Sequence, residues 1–275
     1  MITYIQSQLA PFYSPQEATD LAFWILEETT GLSRAHISAG KDTQNISNIE
    51  IILKRLQKKE PIQYIFGHTL WFGLDLLVNS ATLIPRPETA ELVEWILQTN
   101  PADKQLSVLD VGTGSGCIAI ALKQRRPNWQ VTGLDFSAEA LQVAEQNAIR
   151  NKTQVSWIQH DIFSDFTGTF DLIVSNPPYI LNSEKSSMES SVLDYEPHSA
   201  LFVPDDDPLR FYKRICSMKE SFRKDKESAK SIYLEVNERF AEQVAQLLND
   251  NNFDNVQIKR DIYEKPRMVS GRIKE

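Results

Sequence analysis

The stretch from Ser107 to Gly116, SVLDVGTGSG, gives the strongest indication of the fold. Residues 107–111 favour a β-strand, three glycines follow, and a helix-forming segment begins at Cys117. Glycines at a turn from strand to helix permit positive φ angles and allow a ligand to lie against backbone N–H groups. The stretch therefore predicts a strand, a ligand-binding turn and a helix.

Strand and helix patterns alternate from this stretch to the C-terminal region. The predicted strands are 107–111, 130–134, 154–159, 170–175, 231–236, 256–260 and 268–272, and the predicted helices are 117–125, 137–150, 208–222 and 239–248. Such alternation is typical of an α/β fold with a doubly wound, mostly parallel sheet, here of seven strands. The last two strands leave no room for a helix between them, so we expect them to be antiparallel.

Residues 1–60 have helical patterns instead. A capping box at Ser14–Glu17 precedes apolar residues at helical spacing, Gly31 ends that helix, and a second helix is predicted over 46–58. Apolar residues in 61–87, with turn points at Gly67 and Gly73, predict a β-hairpin that joins two domains. The expected organisation is a small helical domain (1–60), a hairpin linker (61–87) and an α/β domain (88–275) that begins with a helix over 88–98.

The spacing of the glycines limits the ligand. A dinucleotide-binding fingerprint, G-x-G-x-x-G, requires glycine at position 117, which is Cys117. No Gly-Lys-Ser/Thr sequence follows, which excludes a phosphate-binding P-loop. The pattern is G-x-G-x-G behind the acidic residue Asp110.

An acidic residue lies close to the carboxyl end of each of three successive predicted strands. Asp110 precedes the glycines, Asp135 is placed to accept both ribose hydroxyls, and Asp161 is placed to accept from an adenine amine, with Ile162 flanking the ring. Each aspartate alone is more often a helix cap or a turn residue. Together they suit a ligand with an amino-acid end and an adenosine, namely S-adenosylmethionine. The predicted cofactor-binding residues are Asp110, Gly112, Thr113, Gly114, Ser115, Gly116, Asp135, Asp161, Ile162 and Asn176.

A second candidate site is Ser175-Asn176-Pro177-Pro178-Tyr179, directly after a predicted strand. The Asn176 side-chain carbonyl and the Pro177 backbone carbonyl can each accept one hydrogen of a planar NH2 group, and the prolines offer no N–H donor. The Tyr179 ring can stack on that group. The pattern indicates a pocket for an amide or an exocyclic amine, although Asn-Pro-Pro also occurs in ordinary turns.

Arg86 lies between two prolines, which hold its backbone extended. Its side chain either lines a cofactor or substrate pocket or is solvated at a rigid helix entry. The residues alone leave both readings open.

Composition restricts the partners. The 275 residues have a formal net charge of −8, which argues against nucleic acid as the main partner because such binding depends on cationic contacts with phosphates. The two cysteines, Cys117 and Cys216, have no zinc-binding spacing, so we expect no metal site and a reducing compartment. Without a run of about 18 apolar residues, no membrane partner is expected. These observations predict a cytoplasmic protein, and we take it to be a monomer.

With these motifs in place, the chain resembles the class I S-adenosylmethionine-dependent methyltransferases, which have a Rossmann-like fold. More closely, it resembles the release-factor glutamine methyltransferases. The matching segments are 61–67 (PIQYIFG), 83–89 (LIPRPET), 110–116 (DVGTGSG), 175–180 (SNPPYI), 196–197 (EP) and 269–272 (VSGR). One departure is residues 224–230, where the family usually has a glycine-bearing turn.

The resemblance implies methylation of the glutamine in the Gly-Gly-Gln motif of peptide-chain release factors, with the N-terminal helices as the substrate-recognition domain. It implies a catalytic and substrate-binding role for Asn176, Pro177, Pro178 and Tyr179, and substrate binding by Arg86. Three alternatives stay open: a ribosomal-protein glutamine methyltransferase, an adenine amino-methyltransferase acting on nucleic acid, and a binding protein that has kept the fold without activity.

Overall fold

The computed structural model describes residues 1–40, 46–218, 222 and 230–274. These residues form two compact units. One comprises Met1–Gly67 with Glu189–Tyr195, and the other spans His68–Met188 and continues from Glu196. The predicted departure at 224–230 lies outside the described residues except for Lys230. In the part of the chain that is described, no helix is both long and apolar enough to cross a membrane.

The first unit is helical. Its helices are α1 (Ile2–Leu9), α2 (Pro15–Thr30), α3 (Arg34–Ser38), α4 (Ile49–Gln57), α5 (Ile62–Phe66) and, from the distant segment, α9 (Ser190–Leu193). The predicted capping box is confirmed, since the Ser14 hydroxyl accepts from the Glu17 N–H and the Glu17 carboxylate accepts from the Ser14 N–H. Gly31 ends α2 at φ 69°, as predicted. Buried aliphatic residues of α1, α2 and α4 form the core of this unit.

The prediction of strand structure before Gly67 is wrong, because residues 62–66 form α5. Ile62 is buried in the helical core, and Ile65 and Phe66 pack against the same core. A spacing of three and four residues places all three side chains on one helix face, and this burial outweighs their β-propensity. Gly67 then ends the helix at φ 77°.

A shorter hairpin does follow. It consists of β1 (His68–Trp71) and β2 (Leu74–Leu77), which pair antiparallel. Phe72 and Gly73 form its two-residue turn with φ angles of 51° and 79°, the positive values that match the twist of such a hairpin. The hairpin belongs to the second unit.

The second unit contains, among the described residues, a seven-stranded sheet. Its strands are β3 (Ser107–Val111), β4 (Gln130–Asp135), β5 (Ser156–Gln159), β6 (Leu172–Ser175), β9 (Ser231–Glu235), β10 (Phe253–Arg260) and β11 (Pro266–Ile273). The order is β10-β11-β9-β6-β3-β4-β5, in which only β11 runs against its neighbours. The predicted α/β fold class and the antiparallel final pair are both confirmed. A separate parallel pair comprises β7 (Ile180–Leu181) and β8 (Phe202–Val203).

Helices cover both faces of the sheet. They are α6 (Pro87–Thr99), α7 (Cys117–Arg125), α8 (Ala138–Arg150), α10 (Arg210–Ser217) and α11 (Ala241–Asp250). Alternate strand residues supply two cores, because successive side chains of a strand point to opposite faces. Val108 and Leu172 pack with α6 and α7, whereas Leu109 and Ile173 pack with α10 and α11. The helix predicted over 208–222 is shorter, and positions 219–221 lie outside the described residues.

Gly133 shows how tightly β4 and β5 pack. A Cβ atom at Gly133 would lie 2.4 Å from the ring of Trp157, its partner on β5. We expect Gly133→Ala to lower the free energy of unfolding by about 2 kcal/mol, because overpacking forces neighbouring atoms to move. Gly271→Ala is the comparison, since a Cβ there would lie 3.2 Å from Phe253 Cβ, a milder overlap that we expect to cost less. Urea denaturation of both variants tests the prediction, and equal midpoints would contradict it.

Candidate active site

A cavity of about 910 Å³ lies where β3, β4 and β6 end. These strands are parallel neighbours, so their carboxyl ends meet at one edge of the sheet, where ligands bind in such folds. Most of the predicted site residues line this cavity: Arg86, Gly112, Thr113, Gly114, Ser115, Asp135, Asp161, Ile162, Asn176, Pro177 and Pro178. Asp110, Gly116 and Tyr179 are not part of the lining.

The glycine loop forms one wall. Gly112 and Gly114 have φ angles of 71° and 55°, and a Cβ atom on either would meet nothing within 4 Å. The backbone N–H groups of Gly112 and Thr113 donate to the Leu134 carbonyl at 2.8 and 3.0 Å, which fixes the loop to β4. The loop is therefore anchored to β4 and leaves space for a ligand to approach its backbone.

Gly116 has a different role from the other two glycines. Its φ of 80° begins α7, and a Cβ atom there would lie 2.9 Å from the Trp157 ring. This glycine is required for close packing between the start of the helix and β5. Its predicted contact with the cofactor stays a prediction.

Asp110 is fully buried beneath the loop. Its Oδ2 accepts from the Thr113 hydroxyl at 2.6 Å and from the Ala119 N–H at 3.2 Å, whereas Oδ1 has no hydrogen-bond partner among the described residues. Burial raises the pKa of this carboxyl to about 7, although both hydrogen bonds lower it. Asp110 thus supports the loop and retains one unused acceptor.

Asp135 connects the glycine loop to the start of α8. Its Oδ2 accepts from the Gly114 N–H at 2.8 Å and its Oδ1 from the Ser137 N–H at 3.0 Å. Burial raises its pKa. Each carboxylate oxygen has a further lone pair, so Asp135 can still accept from hydroxyl groups in the cavity.

Asp161 and Ile162 follow strand β5 closely in the chain. Asp161 is exposed, and its Oδ1 accepts from the Phe163 N–H at 2.9 Å, which closes a local turn. Ile162 is 9% exposed and packs into the core on the α10 side of the sheet. Both residues line the cavity.

Asn176 forms the wall near α6. Its Nδ2 donates to the Thr89 hydroxyl at 3.1 Å, and that hydroxyl donates to Glu235 Oε2 at 2.7 Å. Tyr179 donates its phenolic hydrogen to Glu235 Oε1 at 3.1 Å, and its ring packs against the core on the α10 side. Stacking of the Tyr179 ring on a ligand stays a prediction.

Sequence reasoning did not identify Thr89 and Glu235 as part of this arrangement. Glu235 is 1% exposed and ends the otherwise mostly apolar strand β9. An acidic residue in such a strand is a recognisable signal, because buried carboxylates are costly unless hydrogen-bonded. The sequence pattern does not show which residues form hydrogen bonds with Glu235.

Arg86 is held in place rather than freely solvated. It forms an ion pair with Glu196, whose side chain is almost completely buried and also accepts from the Ile84 N–H at 3.1 Å. The Arg86 carbonyl accepts from the Trp71 indole at 2.7 Å. Arg86 lines the cavity, and its predicted contact with the substrate stays a prediction. Within the described ranges, no group of three or more potential ligand side chains is arranged to hold a metal ion.

Solved structures share this fold. A methyltransferase from Pyrococcus furiosus superposes with a TM-score of 0.54 at 16% identity, over 80% of this chain and 96% of that chain. The human methyltransferase 10 domain containing protein superposes with a TM-score of 0.51 at 16% identity, over 74% and 90%. At such identities the likeness extends to the fold alone.

Sequence comparisons identify the family. Residues 1–67 match the PrmC N-terminal domain, and residues 89–193 match the methyltransferase small domain. A release factor glutamine methyltransferase of Flavobacterium psychrophilum is 40% identical over 97% of this chain and 96% of its own length. The corresponding protein of Bacteroides thetaiotaomicron is 40% identical over 98% and 97%. Because this similarity covers both units almost completely, the chain belongs to the family of release factor glutamine methyltransferases.

Proposed function

We propose that this protein transfers a methyl group from S-adenosylmethionine to the side-chain amide nitrogen of the glutamine in the Gly-Gly-Gln motif of peptide-chain release factors. One observation carries the proposal. A glycine loop that is open to a ligand and the acceptor groups of Asn176 and Pro177 line the same cavity. The names of the relatives support the choice of substrate.

The cavity residues suit the cofactor. The open space beside Gly112 and Gly114 accepts the ligand against backbone, and Asp110 supports that loop from beneath through the Thr113 hydroxyl, while its predicted direct contact with the cofactor stays a prediction. Asp135 has lone pairs for the ribose hydroxyls, and Asp161 lies at the next strand end for the adenine amine. When bound, S-adenosylmethionine supplies an electrophilic methyl group on a positively charged sulfur.

Asn176 and Pro177, the proposed binding site of the substrate amide, explain how that amide becomes reactive. The lone pair of an amide nitrogen is delocalised into its carbonyl, so the nitrogen is a poor nucleophile. Asn176 Oδ1 and the Pro177 carbonyl would accept hydrogen bonds from its two N–H groups, which orients the nitrogen and favours the more electron-rich, pyramidal nitrogen of the transition state. The nitrogen would lose one of its two protons to solvent as the methyl group leaves the sulfur, which becomes a neutral thioether. Catalysis would arise mainly from orientation and electrostatics.

Further parts of the proposal concern recognition and location. We assign substrate recognition to the N-terminal helices, since residues 1–67 match a domain characteristic of this family. A cytoplasmic location and a monomeric state belong to the same proposal. The cytoplasmic location agrees with two free, buried cysteines, because disulfides are rare in a reducing compartment.

Methyl transfer to three acceptors tests the proposed function. They are an intact release factor, the same factor with its Gly-Gly-Gln glutamine replaced by alanine, and adenine-containing DNA, each incubated with methyl-labelled S-adenosylmethionine. We expect label on the first acceptor only. Label on DNA would favour an adenine methyltransferase, and equal label on both release factors would exclude this glutamine as the acceptor.

A further inference from the structure

We propose that Thr89 and Glu235 are positioning residues that orient the Asn176 side-chain amide so that its carbonyl oxygen faces the substrate. The inference rests on the proposed function and adds two residues to it. Thr89 and Glu235 are 2% and 1% exposed, so solvent does not compete for their hydrogen bonds. Thr89 also lines the cavity beside Asn176.

The direction of the hydrogen bonds determines the orientation of the amide. A threonine hydroxyl has a single hydrogen. Thr89 donates that hydrogen to Glu235 Oε2, so towards Asn176 it can only accept. An acceptor must face the NH2 end of the Asn176 amide. The carbonyl oxygen Oδ1 is consequently directed away from Thr89 and is available to a substrate N–H.

The reversed amide would not support the reaction. With the amide rotated by half a turn, Oδ1 would face the Thr89 oxygen, acceptor against acceptor, and Nδ2 would face the substrate amide, donor against donor. The hydrogen bonds of Glu235 therefore determine whether Asn176 presents an acceptor to the substrate. The proposed site therefore includes Glu235, which does not line the cavity itself.

Glu235 also holds Tyr179, whose hydroxyl donates to Oε1. Both carboxylate oxygens therefore accept a hydrogen bond, which favours the ionised form. The charged and titratable groups around Glu235 come from several elements. They are Tyr179 after β6, Glu88 on α6, Cys117 on α7, Arg267 on β11 and Tyr212 on α10.

The ionisation of Glu235 adds a pH dependence. Burial raises the pKa of its carboxyl to about 7; hydrogen bonds from Thr89 and Tyr179 and the nearby Arg267 lower it, and Glu88 raises it. Below this pH the protonated carboxyl can donate to Thr89, whose hydroxyl is then free to donate to a reversed Asn176. We therefore expect kcat to rise as the pH increases through about 7.

Variants at Thr89 test the inference in the full-length enzyme with an intact release factor. We expect Thr89→Val to lower kcat by about 10- to 100-fold, because the hydrogen bond to Asn176 is lost, with the Kd for S-adenosylmethionine changed by less than about three-fold. Thr89→Ser keeps the hydroxyl, so its kcat should stay within about three-fold of wild type. Thr99→Val is the matched control, because Thr99 lies on the same helix α6 and is not part of the cavity lining.

Glu235→Gln provides a second, independent measurement. Glutamine cannot ionise, so the rise of kcat through about pH 7 should disappear. The inference is overturned if Thr89→Val retains wild-type kcat, if Thr89→Ser is as impaired as Thr89→Val, or if Glu235→Gln keeps the wild-type pH profile. Should Thr89→Val fail to fold, the kcat of Thr89→Ser and the pH profile of Glu235→Gln still test the inference. A wild-type enzyme that labels no release factor would instead refute the proposed function.

Discussion

Asn176→Ala is expected to lower kcat for methylation of a release factor by about 100- to 1000-fold, while the Kd for S-adenosylmethionine stays within about three-fold of wild type. The side chain supplies an acceptor for one of the two substrate amide hydrogens, and alanine removes it. In the structure the Asn176 amide is half-buried and bonded to Thr89, so it is already oriented before substrate binds. An interaction of this kind acts on the transition state more than on binding.

The measurement requires turnover and cofactor binding to be determined separately. Labelled methyl transfer gives kcat, and isothermal titration calorimetry gives the cofactor Kd. Asn249→Ala serves as the control, because the exposed Asn249 side chain donates to the Ala245 carbonyl on its own helix α11 and is not part of the cavity lining. Equal losses in kcat and cofactor affinity would contradict the assigned role in substrate orientation, since Asn176 would then act mainly through its predicted contact with the cofactor.

Asp135→Asn is expected to weaken S-adenosylmethionine binding by about 30-fold or more, because hydrogen bonds to a charged group are worth about 1.5–3 kcal/mol each. The carboxylate accepts the N–H groups of Gly114 and Ser137 and is proposed to accept the ribose hydroxyls as well. An amide has one oxygen, so its NH2 group would face a backbone N–H. The glycine loop and the ribose site should be affected together.

Calorimetric titration measures this change, and thermal denaturation without cofactor shows whether the variant remains folded. Asp165→Asn removes the same charge from an exposed residue that does not line the cavity, so its Kd should equal that of wild type. At saturating cofactor, Asp135→Asn should recover most of the wild-type kcat. An unchanged Kd, or a kcat that saturation does not restore, would contradict a role confined to cofactor binding.

Short-range sequence patterns were sufficient to predict much of the fold. The β3 strand and helix α7 occur at the predicted residues because strand propensity, the positive φ of glycines and the helix start all act within a few residues. The antiparallel final pair followed from the length of its connection. Helix α5 was missed because Ile62, Ile65 and Phe66 favour a strand by composition, and only their burial in the helical core favours a helix.

The sequence by itself determined which residue types meet at the cavity, since the ends of parallel strands β3, β4 and β6 must share one edge of the sheet. It did not determine the Asn176–Thr89–Glu235 chain or the packing of the Tyr179 ring against the core. Thr89 lies 87 residues from Asn176 and 146 from Glu235, so their contact depends on the order of β6 and β9 in the sheet and on the position of α6. Tertiary structure decided these contacts because hydrogen-bond partners are selected by proximity and burial, and no short-range pattern encodes either one.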